Sequence, residues 1–316
     1  MTNTLVADIG GSNTRLAVAG LSSRPQHMLA FANDTLGGLE AAIESYLADI
    51  GSSERRPEAA VLALAGPIGG RRIALTNRAW EIDLDAIQRR FGFRYVRALN
   101  DFEALAWALP WLEPEDVRPL GPELPARNGP RAVLGPGTGL GVAALVPEGH
   151  SWFAVPTEAG HMSFGPALGD EWPMFARIAE VVEVVSAETI LSGPGLERLY
   201  RAIHPDLPLP RAHEIEAAAR AGDPAAVAVV AMFVRLLGRF TGNIALAFKA
   251  IGGVYVAGGV AAKLGTLIDA PAFREAFLAH PPHRQLLDAI PTSLITCEEP
   301  GLFGCAAYAA YLAGEG

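Results

Sequence analysis

Two segments of the chain repeat one pattern, in which a short glycine-rich turn lies between two apolar runs. The first segment covers residues 5–20 and the second covers residues 132–145. The turn residues are Gly10, Gly11, Gly137, Thr138 and Gly139. Two apolar runs joined by such a turn predict a β-hairpin. Because the hairpin occurs early in each half, we expect two similar α/β domains that face each other across a cleft.

The predicted turns are suited to bind an anion. Adjacent glycines let a phosphate approach the backbone, and successive N–H groups can form a nest for it. Asp8 stands at the end of the first strand, where one carboxylate can orient Mg²⁺ through water. A third stretch ends a strand at Gly258 and Gly259 and would close the same side of the cleft. For either segment alone, an ordinary hairpin with a glycine turn is the alternative.

Composition limits the class of protein. A length of 316 residues favours about two domains. A net charge of −9 argues against nucleic acid and against an anionic membrane surface. The N-terminus has no signal-peptide pattern, and the cysteines, Cys297 and Cys305, fit free thiols, so we expect a cytoplasmic protein. The apolar stretch 224–251 carries three basic residues and predicts a buried helix rather than a membrane span.

Lysine is almost absent from the chain. Of the 25 basic residues, 23 are arginine, and the only lysines are Lys249 and Lys263. Neither lysine follows a glycine, which excludes the G-x-x-x-x-G-K-[ST] phosphate loop. The sequence also lacks the glycine-rich loop and the strand lysine that protein kinases use to bind ATP. Bound phosphates would therefore be held mainly by backbone N–H groups and Mg²⁺.

Five polar residues are candidates for chemistry. They are Asn100, Asp101, Glu158, His161 and Glu188. The first two follow a strand and precede a helix, the position of catalytic side chains at the mouth of an α/β sheet. Carboxylates accept hydrogen bonds from hydroxyls, and Asn and His both donate and accept, so the set suits a neutral polyol. The alternatives are that Asp101 is a helix N-cap, that the glutamates are solvated, and that His161 is an ordinary loop histidine.

The proline-rich stretch 112–130 predicts a linker, which places the domain boundary near Pro110. We therefore expect a small α/β domain over residues 1–110 and a larger, more helical domain over residues 111–300.

The sequence resembles the bacterial glucokinases of the non-repressor group, in the hexokinase–actin–sugar kinase superfamily. The resemblance covers nearly the whole chain. It rests on residues 5–15, 99–102, 135–141, 158–161, 186–188, 191–196 and 256–259, in that order. Ser12 stands where threonine is usual, and Ala159 where glycine is common. The zinc-cysteine cluster of the related repressor–kinase family is absent, so His161 is expected to face sugar rather than metal.

The resemblance implies a fold and an activity. The fold is two α/β domains of the actin-like ATPase (ribonuclease H-like) type, with a C-terminal helix, about 301–316, that returns to the first domain. The activity is ATP-dependent phosphorylation of glucose at the 6-hydroxyl, which gives glucose 6-phosphate in the first step of glycolysis. A homodimer is also implied.

The resemblance also implies the roles of site residues. Asp101 matches the catalytic base, and it lies among the glucose contacts Asn100, Asp101, Glu158, His161 and Glu188. The nucleotide contacts are Asp8, Ile9, Gly10, Gly11, Ser12, Gly137, Thr138, Gly139, Gly258 and Gly259, with Asp8 orienting Mg²⁺ through water.

Two other classes of function stay open on the sequence. One is a sugar-responsive regulator, although the first strand starts at Leu5 and leaves no room before it for a DNA-reading segment. The other is a dinucleotide-dependent dehydrogenase, but its glycine pattern fails at Leu140. The sequence pattern does not distinguish glucose, mannose and glucosamine as substrates, nor ATP from other phosphoryl donors.

Overall fold

The computed structural model describes residues 3–20, 24–51, 56–66, 68–75, 80–125 and 127–314. In these residues the strands are β1 (Thr4–Ile9), β2 (Asn13–Ala19), β3 (Gln26–Ala32), β4 (Ala59–Leu64), β5 (Arg72–Ala74), β6 (Glu81–Asp83), β7 (Val96–Asn100), β8 (Val117–Pro119), β9 (Arg131–Pro136), β10 (Leu140–Glu148), β11 (Ser151–Thr157), β12 (Gly253–Val256) and β13 (Thr292–Ile295). The helices are α1 (Leu39–Ile50), α2 (Leu84–Phe91), α3 (Asp101–Ala108), α4 (Trp172–Ala179), α5 (Ala187–Ile190), α6 (Gly193–Ile203), α7 (Ala212–Arg220), α8 (Pro224–Phe248), α9 (Gly259–Leu264), α10 (Ala270–Phe277), α11 (Arg284–Asp288) and α12 (Pro300–Leu312).

The chain divides into two compact units, each with its own sheet. Unit 1 comprises Met1–Leu112, Glu148–Ala154 and Glu298–Gly316. Unit 2 comprises Glu113–Pro147 and Val155–Cys297. The mixed α/β fold class predicted from the sequence is confirmed.

Unit 1 is built on a five-stranded sheet in the order β3-β2-β1-β4-β7. Strands β1 and β2 form the predicted antiparallel hairpin, with Ile9 opposite Thr14. Strands β1, β4 and β7 are parallel, and their last paired residues are Ile9, Leu64 and Asn100. Since parallel strands end at the same edge, this edge carries Asp8 and the Asn100-Asp101 pair.

The C-terminal helix α12 belongs to the core of unit 1, where it packs against α3, β1 and β4. The approach to α3 is so close that a Cβ at Gly304 would collide with the carbonyl of Ala104. Cys305 is fully buried, and its thiol lies 3.6 Å from the carbonyl oxygen of Ala7 in β1. Packing at this distance requires glycine at position 304.

Unit 2 is built on a six-stranded sheet in the order β11-β10-β9-β12-β13-β8. Strands β9 and β10 form the second predicted hairpin, and β12 runs parallel to both β9 and β13. The stretch 112–130, expected as a linker, contains strand β8, which pairs with β13. That part of the prediction was wrong because three residues are too few to show a strand pattern among prolines.

Helix α8 is long and apolar enough, by length and composition, to cross a membrane. Phe233, Leu237 and Phe240 are nevertheless buried in the core of unit 2, as predicted for this segment. The helix ends at Phe248 rather than Ile251, because Lys249 adopts a left-handed conformation with φ of 47°.

Candidate functional site

The turn between β1 and β2 is held by a buried side chain from outside the hairpin. Asn33 follows β3, and its Nδ2 donates to the carbonyl oxygens of Gly10 at 2.8 Å and Gly11 at 3.3 Å. The hydroxyl of Thr14 donates to Asn33 Oδ1 at 2.7 Å. The Asn33 N–H donates to the carbonyl of Ser12 at 2.9 Å. Sequence reasoning missed both residues as supports of the turn, because Asn33 belongs to no recognised motif and the sequence does not show that Thr14 contacts it.

Asp8 lies near the end of β1, close to other acidic groups of unit 1. Burial and the neighbouring Glu299 carboxylate raise the pKa of Asp8 to about 6, and Asp101 adds to this effect. Arg15 opposes it, but Arg15 also forms an ion pair with Glu299 at 2.7 Å. The carboxyl of Asp8 is therefore short of compensating positive charge.

The shortage of positive charge around Asp8 shows whether this residue suits Mg²⁺. Within the described residues, no three His, Cys, Asp or Glu side chains are grouped to hold a metal ion directly. Mg²⁺ prefers oxygen ligands, keeps several waters and often uses one or two carboxylates. A partly buried carboxylate with excess negative charge around it fits that mode of binding, with Asp8 as the residue that would hold the ion.

We expect Asp8→Asn to raise the melting temperature at pH 8 in metal-free buffer. Native Asp8 keeps its proton to a higher pH than the unfolded chain, so ionisation destabilises the fold as pH rises from about 4 to 6. Removing this charge should add roughly 1–3 kcal/mol above pH 6 and progressively less as pH falls towards 4. Melting curves across this range test the effect. A gain in melting temperature that does not depend on pH would contradict it.

Asn100 and Asp101 differ in what they do for the fold. Asn100 is the N-cap of α3, and its Oδ1 accepts from the N–H groups of Phe102 at 2.9 Å and Glu103 at 3.3 Å. Its Nδ2 donates to the carbonyl of Gly66 at 3.1 Å. Asp101 is the first helical residue. The N-cap position thus falls to Asn100, and Asp101 Oδ1 adds one further acceptor for the Phe102 N–H, at 3.0 Å.

The second glycine turn, between β9 and β10, is fixed by neighbouring backbone. Gly137 donates to the carbonyl of Gly139 at 2.8 Å and accepts from the N–H of Gly193, at the start of α6, at 2.8 Å. Gly258, with φ of 86°, lies against the strand before the turn, where an added Cβ would be 2.6 Å from the Pro136 carbonyl oxygen. The structure therefore brings the second and third glycine stretches together.

A cavity of about 430 Å³ opens beside this turn, within unit 2. Its walls include Gly137, Thr138 and Gly259, together with the basic side chains of Arg211 and Lys263. The two basic residues were not among the candidates from the sequence. Arg211 is the N-cap of α7 and Lys263 lies within α9, shortly after Gly259, and nothing in their local sequence marks them.

The candidate sugar residues of unit 2 are arranged around the start of β10. Leu140 N–H donates to Glu188 Oε2 at 2.8 Å. A Cβ at Gly160 would collide with the Leu140 carbonyl, so the loop that carries Glu158 and His161 lies directly against the same residue. The two loop side chains are exposed, and Glu158 Oε2 is 3.8 Å from His161 Nε2. The structure thus brings Glu158, His161 and Glu188 to one region of unit 2.

The other candidate residues fall into two groups by unit. Asp8, Ile9, Gly10, Gly11, Ser12, Asn100 and Asp101 belong to unit 1, at or beside the edge where β1 and β7 end. Gly137, Thr138, Gly139, Gly258 and Gly259 belong to unit 2, beside the cavity or packed against its walls.

Comparison with known proteins identifies the family. A sequence model described as Glucokinase matches residues 5–312. A glucokinase from Allorhizobium ampelinum is 38% identical, over 96% of this chain and 91% of its own length. The crystal structure of a glucokinase from an Antarctic psychrotroph has a TM-score of 0.91 at 29% identity, covering 98% of both chains. A ROK family glucokinase from Streptomyces griseus, solved with glucose and AMPPNP, has a TM-score of 0.63 at 21% identity, covering 97% of this chain and 98% of its own. The fold class implied by the resemblance is confirmed, and the chain belongs to the glucokinase family.

Proposed function

We propose that this protein transfers the γ-phosphoryl group of ATP to the 6-hydroxyl of glucose, giving glucose 6-phosphate in the first step of glycolysis. The observation that carries the proposal is the sheet edge of unit 1. There Asp101 follows β7 at the start of α3, beside the parallel strands that end at Leu64 and Ile9. Membership of the glucokinase family supports the same reaction.

Asp101 is proposed as the general base. Phosphoryl transfer passes through a loose transition state, so catalysis consists mainly of positioning and of charge stabilisation. Asp101 would accept the proton of the 6-hydroxyl, a contribution of roughly 10²–10⁴-fold for a general base. Asn100 holds the start of α3 in place through its capping hydrogen bonds, which orients the neighbouring Asp101.

The phosphates are proposed to contact the glycine turns. The turns at Gly10 to Ser12 and at Gly137 to Gly139 would bind phosphate oxygens, with Gly258 and Gly259 beside them. The N–H groups of Gly10 and Gly137 already donate to the carbonyls of Asn13 and Gly139, so donors such as the Ser12 N–H would make the contacts. Asp8 would hold Mg²⁺ through water. When bound, the ion supplies positive charge that neutralises the β- and γ-phosphate oxygens.

Glucose hydroxyls are proposed to contact Asn100, Asp101, Glu158, His161 and Glu188. One oxygen of Glu188 accepts from Leu140 N–H, which fixes the carboxylate while its other oxygen remains an acceptor. The exposed side chains of Glu158 and His161 would bind the sugar without breaking any close contact within the fold.

We expect Glu158→Gln or His161→Ala to raise KM for glucose by about tenfold and to change KM for ATP by less than about twofold. The reason is that both side chains lie on a loop that does not line the cavity beside the second glycine turn. Steady-state kinetics with each substrate varied in turn measures both constants. Glu183→Gln, an exposed glutamate of the same unit, is the matched control. An equal loss of ATP affinity would assign the loop to the nucleotide side.

The reaction itself is tested by a coupled assay of the purified protein. Glucose, mannose and glucosamine are offered as acceptors, and ATP, ADP and polyphosphate as donors. We expect the highest kcat/KM with glucose and ATP. Titrations with glucose, ATP-Mg²⁺ and NAD separate this reaction from the two rival classes. Binding of glucose without turnover would favour a regulator, and binding of NAD would favour a dehydrogenase.

The assembly and the location are proposed on the resemblance. We propose a cytoplasmic homodimer that has glucose and ATP as its ligands and binds neither nucleic acid nor membrane. Sedimentation equilibrium of the purified protein measures the oligomeric state.

A further inference from the structure

Asn33 is an almost fully buried polar residue, with 1% of its surface exposed. The neighbouring donors and acceptors determine the orientation of its side-chain amide. The two nearby acceptors are the carbonyl oxygens of Gly10 and Gly11, which must face the Nδ2 donors, and the Thr14 hydroxyl then donates to Oδ1. Every polar atom of the Asn33 side chain is therefore engaged with the hairpin.

Three successive carbonyl groups of the turn accept hydrogen bonds from Asn33. Asn33 Nδ2 binds those of Gly10 and Gly11, and the Asn33 N–H binds that of Ser12. The Ser12 N–H, in contrast, donates to no residue in the part of the chain that the structure describes. The Gly10 N–H already donates to the carbonyl of Asn13 at 3.0 Å, so the Ser12 N–H is the donor of this turn that we assign to an anion.

We propose that Asn33, oriented by Thr14, is a positioning residue that holds the first glycine turn in the conformation that binds the phosphates of ATP. This inference rests on the proposed function. It deepens it because it adds a side chain that supports the backbone groups proposed to bind the phosphates. Asn33 does not touch the nucleotide in this proposal. It acts through the carbonyls of Gly10, Gly11 and Ser12.

Thr14 and Asn33 allow substitutions that separate this role from simple stability. Thr14→Val keeps the shape of the side chain but removes the hydroxyl donor, so Asn33 Oδ1 loses its partner. Thr14→Ser keeps the hydroxyl. Asn33→Asp replaces the two N–H donors with a carboxylate oxygen that faces two carbonyls. Tyr46→Phe is the control, since it removes another hydrogen bond of unit 1, from the Tyr46 hydroxyl to the carbonyl of His27 at 3.0 Å.

The experiment measures melting temperature, KM for ATP, kcat, and the Kd for glucose without nucleotide, at a temperature well below every melting point. We expect Thr14→Val to raise KM for ATP by about tenfold and Asn33→Asp by more, with the glucose Kd within about twofold. Thr14→Ser should restore the ATP constant. Tyr46→Phe should lower the melting temperature without changing KM for ATP.

The outcomes distinguish this proposal from the proposed function. If the native protein does not bind ATP-Mg²⁺, the proposed function fails and the role of Asn33 falls with it. If the native protein binds ATP-Mg²⁺ and the Thr14 and Asn33 variants fold and bind it equally well, only the positioning role is overturned. The same result follows if Tyr46→Phe and Thr14→Val change the ATP constant alike, because Asn33 would then contribute stability only.

Discussion

Asp101→Asn should reduce kcat by roughly 10²–10⁴-fold and leave the Kd for glucose within about tenfold. Asparagine keeps the size of the side chain and one acceptor oxygen, but it cannot accept the proton of the 6-hydroxyl. The cap of α3 should survive, because Asn100 provides it. A melting curve, a coupled assay and a glucose titration of the same preparation measure the three properties.

Asp83→Asn is the matched control for this substitution. Asp83 also stands between a strand and a helix of unit 1, where it caps α2 by accepting from the N–H of Ala86 at 2.9 Å. The same chemical change at that position should leave kcat unaltered. Retention of more than about a tenth of native kcat in Asp101→Asn would remove Asp101 from the role of base.

Gly137→Ala should weaken ATP binding by more than about tenfold, or 1.4 kcal/mol, and leave the melting temperature and glucose binding nearly unchanged. Gly137 does not have a positive φ, and a Cβ added there would meet no atom within 4 Å. The new methyl group would therefore cost the free protein little. It would enter the cavity of unit 2, where we propose that the phosphates bind. Titration of ATP-Mg²⁺ beside a melting curve measures the effect.

Two other glycines complete the test. Gly169→Ala also adds a methyl group into open space, but away from the cavity, and should change nothing. At Gly139 a Cβ would collide with the Glu188 carboxylate, so Gly139→Ala should weaken glucose binding as well as stability. If Gly137→Ala folds normally and binds ATP as the native protein does, the second hairpin is only a turn.

The parts of the fold that depend on local pattern were predictable from the sequence. Both glycine hairpins appear in the structure because apolar runs and a glycine turn specify a hairpin within a few residues. The helix cap was harder to assign. Asn and Asp are about equally good N-caps, so the sequence Asn100-Asp101 does not show which of the two caps α3.

The features of the site that could not be predicted depend on contacts between residues far apart in the sequence. Asn33 reaches Gly10 across 23 positions, and Leu140 reaches Glu188 across 48. Such pairs arise only when the strands and loops have packed together. No local periodicity marks them, so the support of the first turn and the orientation of Glu188 could be seen only in the structure.

The position of α12 in unit 1 has a consequence for synthesis on the ribosome. Strand β1 and helix α3 emerge early, but the helix that covers them ends at Leu312, after all of unit 2 has been translated. At about 5–20 residues per second, the roughly 200 residues that follow Leu112 take about 10–40 s. During that interval the nascent first unit exposes the apolar surface that α12 later buries. We therefore expect unit 2 to fold before unit 1, and the N-terminal half of the nascent chain to be the part that chaperones bind.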